Sequence, residues 1–287
     1  MSAALAKGRE LSRRPKDAIF PAIMASSLIL NGFALAALLP AALIPLRKGA
    51  GRDAAFWAST LVAAIAPSAW AGELLLGGWH TQFGTSLWVI VAASAGLFLP
   101  LAGATRQGWR LAPLLMPYLA LLGLIASVAV GEARPLVGGA PAVWVDLHIV
   151  VAVSIFALLT LAAVSSLAVF LQENALKAKR PTALTALLPS VADGERLAGR
   201  LLEASEAVLA LGLASGMAIQ YFQSGALLRL DHKTLLSVAA FLLIGALLLG
   251  HRVCGVRGRV AARVVLIAYL LVMLASPGVK FVTQILL

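Results

Sequence analysis

Residues 147–172 read LHIVVAVSIFALLTLAAVSSLAVFLQ and contain no Asp, Glu, Lys or Arg. A helix that crosses the hydrocarbon core of a bilayer needs about 20 mostly apolar residues, because its backbone N–H and C=O groups must be satisfied within the segment. This run is long enough for one such crossing. The sequence therefore predicts a membrane-spanning helix here, with a histidine at its outer start.

Comparable apolar runs occur along the whole chain of 287 residues, of which 61% are hydrophobic and 12% are charged. An average soluble domain carries about 25% charged residues, so water is not the main solvent of this protein. We predict an all-α, polytopic membrane helix bundle of about eight transmembrane helices, forming a single integral membrane domain over residues 1–287. The predicted spans are approximately 18–46, 54–76, 85–103, 111–131, 147–172, 201–222, 232–250 and 262–286.

The net charge of +11 comes from short Lys and Arg clusters between the apolar runs. Such clusters set membrane orientation and do not indicate nucleic-acid binding, because cytoplasmic loops of membrane proteins carry an excess of Lys and Arg. The loops after the first, third, fifth and seventh spans are basic and are predicted to be cytoplasmic. The other loops and both termini then lie outside. The basic residues 7–16 break this rule, and if the first span does not cross, only the N-terminus changes side.

Histidines are the best candidates for cofactor ligands. On the predicted topology His80, His148 and His232 fall at the outer surface, whereas His251 closes the seventh span at the opposite interface. Neutral imidazole is a common ligand of haem iron, and an ionisable group facing a bundle interior is a candidate functional residue. We predict that His148 and His232 bind one iron atom from its two faces, with His80 as the replacement ligand.

Residues around these histidines could contact the propionates and the porphyrin ring of a haem. Arg229 and Lys233 flank His232 and could pair with the propionates. Aromatic contacts to the porphyrin could come from Trp79, Trp144, Tyr221 and Phe222. A plainer interpretation is that the histidines only anchor helix ends and that the tryptophans belong to the usual aromatic belt of a membrane protein.

Several enzyme classes have no support in the sequence. It contains no Walker loop, dinucleotide fingerprint, H-E-x-x-H or nucleophile elbow, so no hydrolytic or nucleotide-driven site is expected. Cys254 is the single cysteine, and without a C-x-x-C-H motif the chain is not itself a c-type cytochrome. Glu73, inside the second span, either lines a polar cavity or reaches outward to water.

Small and acidic residues in the sixth span have structural interpretations. Gly212 and Gly216 have the spacing that lets two helices approach closely. Glu203 and Glu206 are expected to complement the start of this helix or to pair with Arg200.

Three stretches in the second half carry a resemblance: WVDLHIVVAVSIFALLTLAAVSSLAVFLQE (144–173), LLPSVADGERLAGRLL (187–202) and DHKTLLSVAAFLLIGALLLGHRVCGVRGRVAARVVLIAYLLVMLASPGVKFV (231–282). They resemble the cytochrome c assembly protein family, in particular its CcsA/HemX-like and YpjD-like branch. The resemblance implies a bacterial inner-membrane protein that binds haem non-covalently, as a b-type haem, or assists its delivery during cytochrome c maturation. On this resemblance the first four helices occupy 18–142, and helices five to eight, which resemble the assembly family, occupy 143–287.

The same resemblance implies roles for individual residues. His148 matches the family's histidine at the outer start of a helix, and His251 matches the histidine that closes a later one, which implies that both bind the cofactor. Asp231 and Lys233 fall within the position of the family's W-x-W-D-x-K/R segment, which implies cofactor contacts for both.

The chain departs from the family's pattern in two places. No tryptophan occurs between Tyr221 and Thr234, and no histidine follows His251, so His232 must supply the second outer ligand. We therefore predict a non-enzymatic, haem-binding accessory of cytochrome c assembly, with maturation components as partners. Two alternatives are a transporter or exporter of a small solute and a scaffold for another membrane complex.

Overall fold

The computed structural model describes residues 16–47, 49, 51–76, 82–129, 141–225 and 231–278. Within these ranges the chain is helical and contains no β-strand. Seven described helical segments are long and apolar enough to cross a membrane, which confirms the predicted polytopic helix bundle. The eighth predicted span begins as a 16-residue helix, and the residues after 278 lie outside the described part.

Nine α-helices occur in the described part of the chain. They are α1 (Lys16–Leu43), α2 (Ala54–Leu74), α3 (Phe83–Ala104), α4 (Ala112–Val128), α5 (Ala142–Lys177), α6 (Ala183–Leu187), α7 (Val191–Ser224), α8 (His232–Val253) and α9 (Gly258–Met273). Short 3₁₀ turns follow α1 and precede α4, and a π-helical turn, Leu274–Gly278, follows α9.

Side-chain caps explain where three of these helices begin. Asp53 accepts a hydrogen bond from the backbone N–H of Phe56 at 2.9 Å, and Asp231 accepts one from Thr234 at 2.7 Å. Ser190 accepts one from the N–H of Asp193 at 3.2 Å. Each bond satisfies an N–H group that has no partner inside its own helix.

Helix α7 differs from the prediction. It starts at Val191, whereas the predicted span starts at 201, so the charged segment 195–200 forms part of its first turns. Charged residues end an apolar run but do not end a helix, and the Ser190 cap marks the true start. Because α7 has 34 residues, it is about 51 Å long and extends well beyond a hydrocarbon core of about 30 Å.

The eight long helices pack in two groups of four. In the first group α1 contacts α2 and α4, and α3 contacts α2 and α4. In the second group α5 contacts α7 and α9, and α8 contacts the same two helices. Helix α3 also packs on α5 and joins the groups. The largest fully buried side chains include Trp88 and Phe98 of α3, Leu115 of α4, Leu159 of α5 and Ile244 of α8.

The outer surface of the bundle is apolar. On α8, Leu235, Leu242 and Leu249 recur at every seventh residue and are 52%, 63% and 63% exposed. In water, a stripe of large apolar side chains would favour association of the protein with other molecules. In a bilayer, the same stripe lies against apolar lipid chains and is stable there. The chain is therefore a multi-pass membrane protein.

The basic loops meet at one end of the bundle, as predicted. Arg52 donates a hydrogen bond to the carbonyl oxygen of Thr105, and Arg110 donates one to that of Leu188 at 3.3 Å. A third bond, of 3.1 Å, joins Arg259 at the start of α9 to the side chain of Asn174 in the last turn of α5. These contacts join the loops after α1, α3, α5 and α8. We call this the basic end, and the end with the starts of α5 and α8 the histidine end.

Candidate ligand site at the histidine end

Helices α5 and α7 run antiparallel and pack closely towards the histidine end. The rings of Trp144 and Phe222 lie opposite each other with centroids 6.5 Å apart. We call the line of contact between α5 and α7 the seam. Further along it, a Cβ added to Gly212 would lie 2.8 Å from Cδ1 of Ile155. The glycine in α7 therefore permits the close helix approach that its spacing predicts.

His148 lies on this seam and is fixed through one ring nitrogen. Its Nδ1 is 2.8 Å from the hydroxyl oxygen of Ser215, and that hydroxyl donates its single proton to the carbonyl oxygen of Gly212 at 3.0 Å. When this proton is on Gly212, Ser215 accepts the bond from His148, and the imidazole is then in the tautomer that carries its proton on Nδ1. The lone pair of Nε2 remains available, and no described residue hydrogen-bonds to it.

The surroundings of His148 restrict the imidazole further. Ser215 is buried, and His148 itself is partly buried. A Cβ added to Gly216 would lie 3.4 Å from Cε1 of His148, which is van der Waals contact. The imidazole therefore packs directly against α7 at this position.

His232 is the first residue of α8 and is exposed. The preceding Asp231 caps the helix through the backbone N–H of Thr234, and this hydrogen bond lowers the pKa of Asp231 below its ordinary value. The positive charges of His232 and Lys233 lower it in the same direction. The Asp231 carboxylate, predicted to contact a cofactor, therefore has a defined structural task at the start of α8.

Lys233 connects α8 to the seam between α5 and α7. It is exposed, and it lies close enough to His148 to interact with the imidazole electrostatically. The structure thus brings His148 and Ser215 together from α5 and α7, with the charge of Lys233 of α8 within electrostatic range. His232 adjoins Lys233 in the chain and starts the helix that completes this group.

Exposed aromatic rings lie beside the same group. The ring centroids of Tyr221 and Phe222 are 6.3 Å apart, and Phe222 also faces Trp144. These three side chains are 54%, 49% and 38% exposed, respectively. Partly exposed rings in this place offer flat apolar surface at the end of the bundle.

Other predicted residues lie elsewhere. His80, Trp79 and Arg229 fall outside the described residues. His251 lies at the basic end, where its Nδ1 is 2.9 Å from the carbonyl oxygen of Val256. The structure thus places His251 with Arg252 and Arg257 and does not bring it together with His148.

Three acidic residues have environments that bear on the sequence predictions. Glu73, at the end of α2, is exposed. Glu203 pairs with Arg252 at 3.0 Å, so its predicted pairing with Arg200 is wrong. Its predicted role at the start of the helix is also wrong, because α7 starts three turns earlier, at Val191. Glu206 has one carboxyl oxygen buried without a hydrogen-bond partner.

Ser215 was missed by sequence reasoning, although its position between Gly212 and Gly216 was a usable signal. A small hydroxyl residue between two close-packing glycines lies where a neighbouring helix comes within hydrogen-bonding reach. Among the described residues, no group of three or more His, Cys, Asp and Glu side chains forms a metal site made of protein ligands alone. The histidine end instead offers a few nitrogen ligands beside apolar surface, which fits a cofactor that brings its own equatorial ligands.

Comparison with known proteins gives two matches. The sequence pattern of the family described as cytochrome C assembly protein matches residues 79–287. The chain is also 54% identical over 270 residues to a protein of Azospirillum brasilense described as an uncharacterized 28.8 kDa protein in the nifR3-like 5' region. That alignment covers 92% of this chain and 100% of the relative. No solved structure matches the chain significantly.

Proposed function

The chain belongs to the cytochrome c assembly protein family, and from this premise we propose that it binds haem at its histidine end as a non-enzymatic accessory of cytochrome c assembly. Membership of the family gives the protein a role in cytochrome c biogenesis. We further propose that it resides in the bacterial inner membrane, with the basic end in the cytoplasm and the histidine end outside.

The bond between His148 and Ser215 is the observation that carries the proposal. Histidines that bind metals commonly donate their second N–H to a fixed acceptor, which sets the tautomer and the direction of the ring. Ser215 is such an acceptor for Nδ1, because its own proton is used on Gly212. The free lone pair on Nε2 is the electron pair that an iron atom requires.

His232 is the proposed second axial ligand. It is exposed at the first position of α8, and its neighbour Lys233 lies within electrostatic reach of His148. An exposed imidazole at a helix start can turn towards a ligand without unfolding the helix. His80 remains the proposed replacement for this ligand.

The charged and aromatic residues suit the rest of the haem. The ammonium group of Lys233 supplies a positive charge for a propionate, and we assign the same role to Arg229. The exposed rings of Trp144, Tyr221 and Phe222 supply apolar surface for the porphyrin edge. A b-type haem held in this way supplies an iron centre with two axial positions for imidazole. The chain's residues bind and orient it, and a component of cytochrome c maturation is the proposed recipient.

Absorption spectroscopy of the purified protein tests this proposal. We expect a Soret band in the wild-type protein, or after titration with haemin, and its loss in His148→Ala. His251→Ala is the matched control because that imidazole lies at the basic end and should leave the band in place. A wild-type protein that takes up no haem, or a band that survives His148→Ala, would refute the proposed site.

A cavity in the membrane supports a second candidate function. It has a volume of 880 Å³, lies between α2, α3 and α5, and is lined by small residues such as Ala71, Gly72, Ala92 and Gly96. This hollow is open on one side, and it could admit a small solute, as the transporter alternative requires. Solute flux in proteoliposomes without bound haem would favour this function over haem binding.

A further inference from the structure

A second cavity, of 220 Å³, lies at the basic end among the ends of α5, α7, α8 and α9. The residues lining it come from the early turns of α7, the last two turns of α8 and the first turns of α9. It lies at the end opposite His148 and shares no residue with the proposed haem site. The role of this cavity is therefore a separate question.

Arginine is the main polar residue of the cavity. Four arginines line it, together with two glutamates, and the arginines are Arg196, Arg200, Arg252 and Arg257. Two of the four are already paired, because Arg252 binds Glu203 at 3.0 Å and Arg196 binds Asp193 at 3.4 Å.

The remaining charges do not cancel each other. Glu195 accepts a hydrogen bond of 2.7 Å from the backbone N–H of Gly258, so its carboxylate helps to fix the start of α9. Arg200 and Arg257 make no side-chain hydrogen bond or ion pair with any residue in the described part of the chain. Two guanidinium groups thus line the cavity without an anionic partner.

Apart from Ser166 and His251, the rest of the lining is apolar. Leu202 of α7, Leu247 and Leu248 of α8, and Ala262 and Val265 of α9 all contribute to it. Next to the cavity, Leu249 and Val253 of α8 are 63% and 73% exposed on the outer surface of the bundle. The lining therefore combines two exposed, unpaired arginines with aliphatic side chains, which matches a molecule with an anionic head and an apolar body.

We propose that this cavity binds the headgroup phosphodiester of an anionic phospholipid, with Arg200 and Arg257 as the anion-binding residues. Arginine binds phosphate oxygens through charge-assisted, often bidentate hydrogen bonds. Basic pockets between membrane helices on the cytoplasmic side are suited to such headgroups. The lipid joins α7, α8 and α9 where their apolar parts end.

Native mass spectrometry of the full-length protein in detergent tests this inference. We expect phosphatidylglycerol to bind at least about tenfold more tightly than phosphatidylcholine, and the Arg200→Gln/Arg257→Gln double variant to lose that preference. Arg180→Gln is the matched control, because Arg180 is an exposed arginine after α5 that does not line the cavity. This control should bind both lipids as the wild-type protein does.

Competition on the wild-type protein provides a test that needs no variant. If a lipid occupies the cavity, inorganic phosphate at millimolar concentration should displace phosphatidylglycerol poorly, because it lacks the apolar body. Complete displacement by phosphate would identify the site as one for free phosphate and overturn the lipid assignment. Equal binding of the two lipids, or unchanged binding in the double variant, would also overturn it. None of these results bears on haem binding at the histidine end.

Discussion

At the scale of single residues, the hydroxyl of Ser215 determines which nitrogen of His148 is free to bind a ligand. The sequence predicted His148 as a ligand from its place at a helix start, but hydropathy cannot show which residue of another helix faces it. That information depends on how α5 and α7 are rotated against each other. The glycines on either side of Ser215 indicate a close helix contact, but the structure is needed to identify His148 as the residue that Ser215 positions.

Replacing Ser215 tests this positioning role. Ser215→Ala removes the acceptor for Nδ1–H of His148, and we expect haem affinity to fall roughly 10- to 100-fold, as is usual when the partner of a metal-binding histidine is lost. Haemin titration followed at the Soret band measures the change.

Ser205→Ala is the matched control for this measurement. Ser205 is also buried in α7, but its hydroxyl donates only to the carbonyl oxygen of Leu201 in its own helix. Its removal should leave haem affinity within about twofold of wild type, since both variants remove one buried hydroxyl from the same helix. Equal affinities of the two variants would mean that Ser215 does not position His148.

At the scale of elements, the apolar runs predicted the helices well but not their full lengths. The run 147–172 became α5, Ala142–Lys177, and the sixth predicted span became the last two thirds of α7. Hydropathy reports the part of a helix that suits lipid, whereas hydrogen bonding and caps set its ends. The capping residues Ser190 and Asp231 were readable signals for the true starts.

The start of α8 is expected to depend on pH through Asp231. Because the folded helix lowers the pKa of Asp231, its stabilising contribution is present above the ordinary pKa of an aspartate and is lost as the pH falls through the lowered value, below about 4. The protection factor of the Thr234 amide, which compares its exchange rate with that of an unstructured amide at the same pH, should therefore decrease at low pH. Asp231→Asn, which keeps a capping oxygen, should remove this pH dependence.

Removing the cap altogether has a different result. Asp231→Ala should destabilise the first turn of α8 by about 1 kcal/mol at neutral pH, the usual effect of losing an N-cap. A high protection factor at Thr234 that does not change with pH in the wild-type protein would contradict the assignment of Asp231 as the cap.

At the scale of the whole molecule, charge and hydropathy together predicted how the bundle is arranged. The positions of the Lys and Arg clusters placed four loops at one end, and the contacts of Arg52, Arg110 and Arg259 join those loops. The division of the long helices into two closed groups, linked by α3 and α5, could not be predicted. It depends on side-chain fit between helices that are all apolar on most faces.

Cys254 offers a direct test of orientation, since it is the single cysteine, is exposed and follows α8 at the basic end. In intact cells we expect a membrane-permeant maleimide to label it and an impermeant one to leave it unlabelled. In a Cys254→Ser background, Ser224→Cys at the exposed end of α7 should react with both reagents. The reverse labelling pattern would invert the proposed topology.

The most direct test of the proposed site is electron paramagnetic resonance of the ferric, haem-loaded protein. Two axial imidazoles from His148 and His232 should give a low-spin signal in the wild-type protein. His232→Ala should convert it to a high-spin signal with haem still bound, because His148 remains held by Ser215. A high-spin signal in the wild-type protein, or a low-spin signal that His232→Ala leaves unchanged, would contradict coordination by this pair.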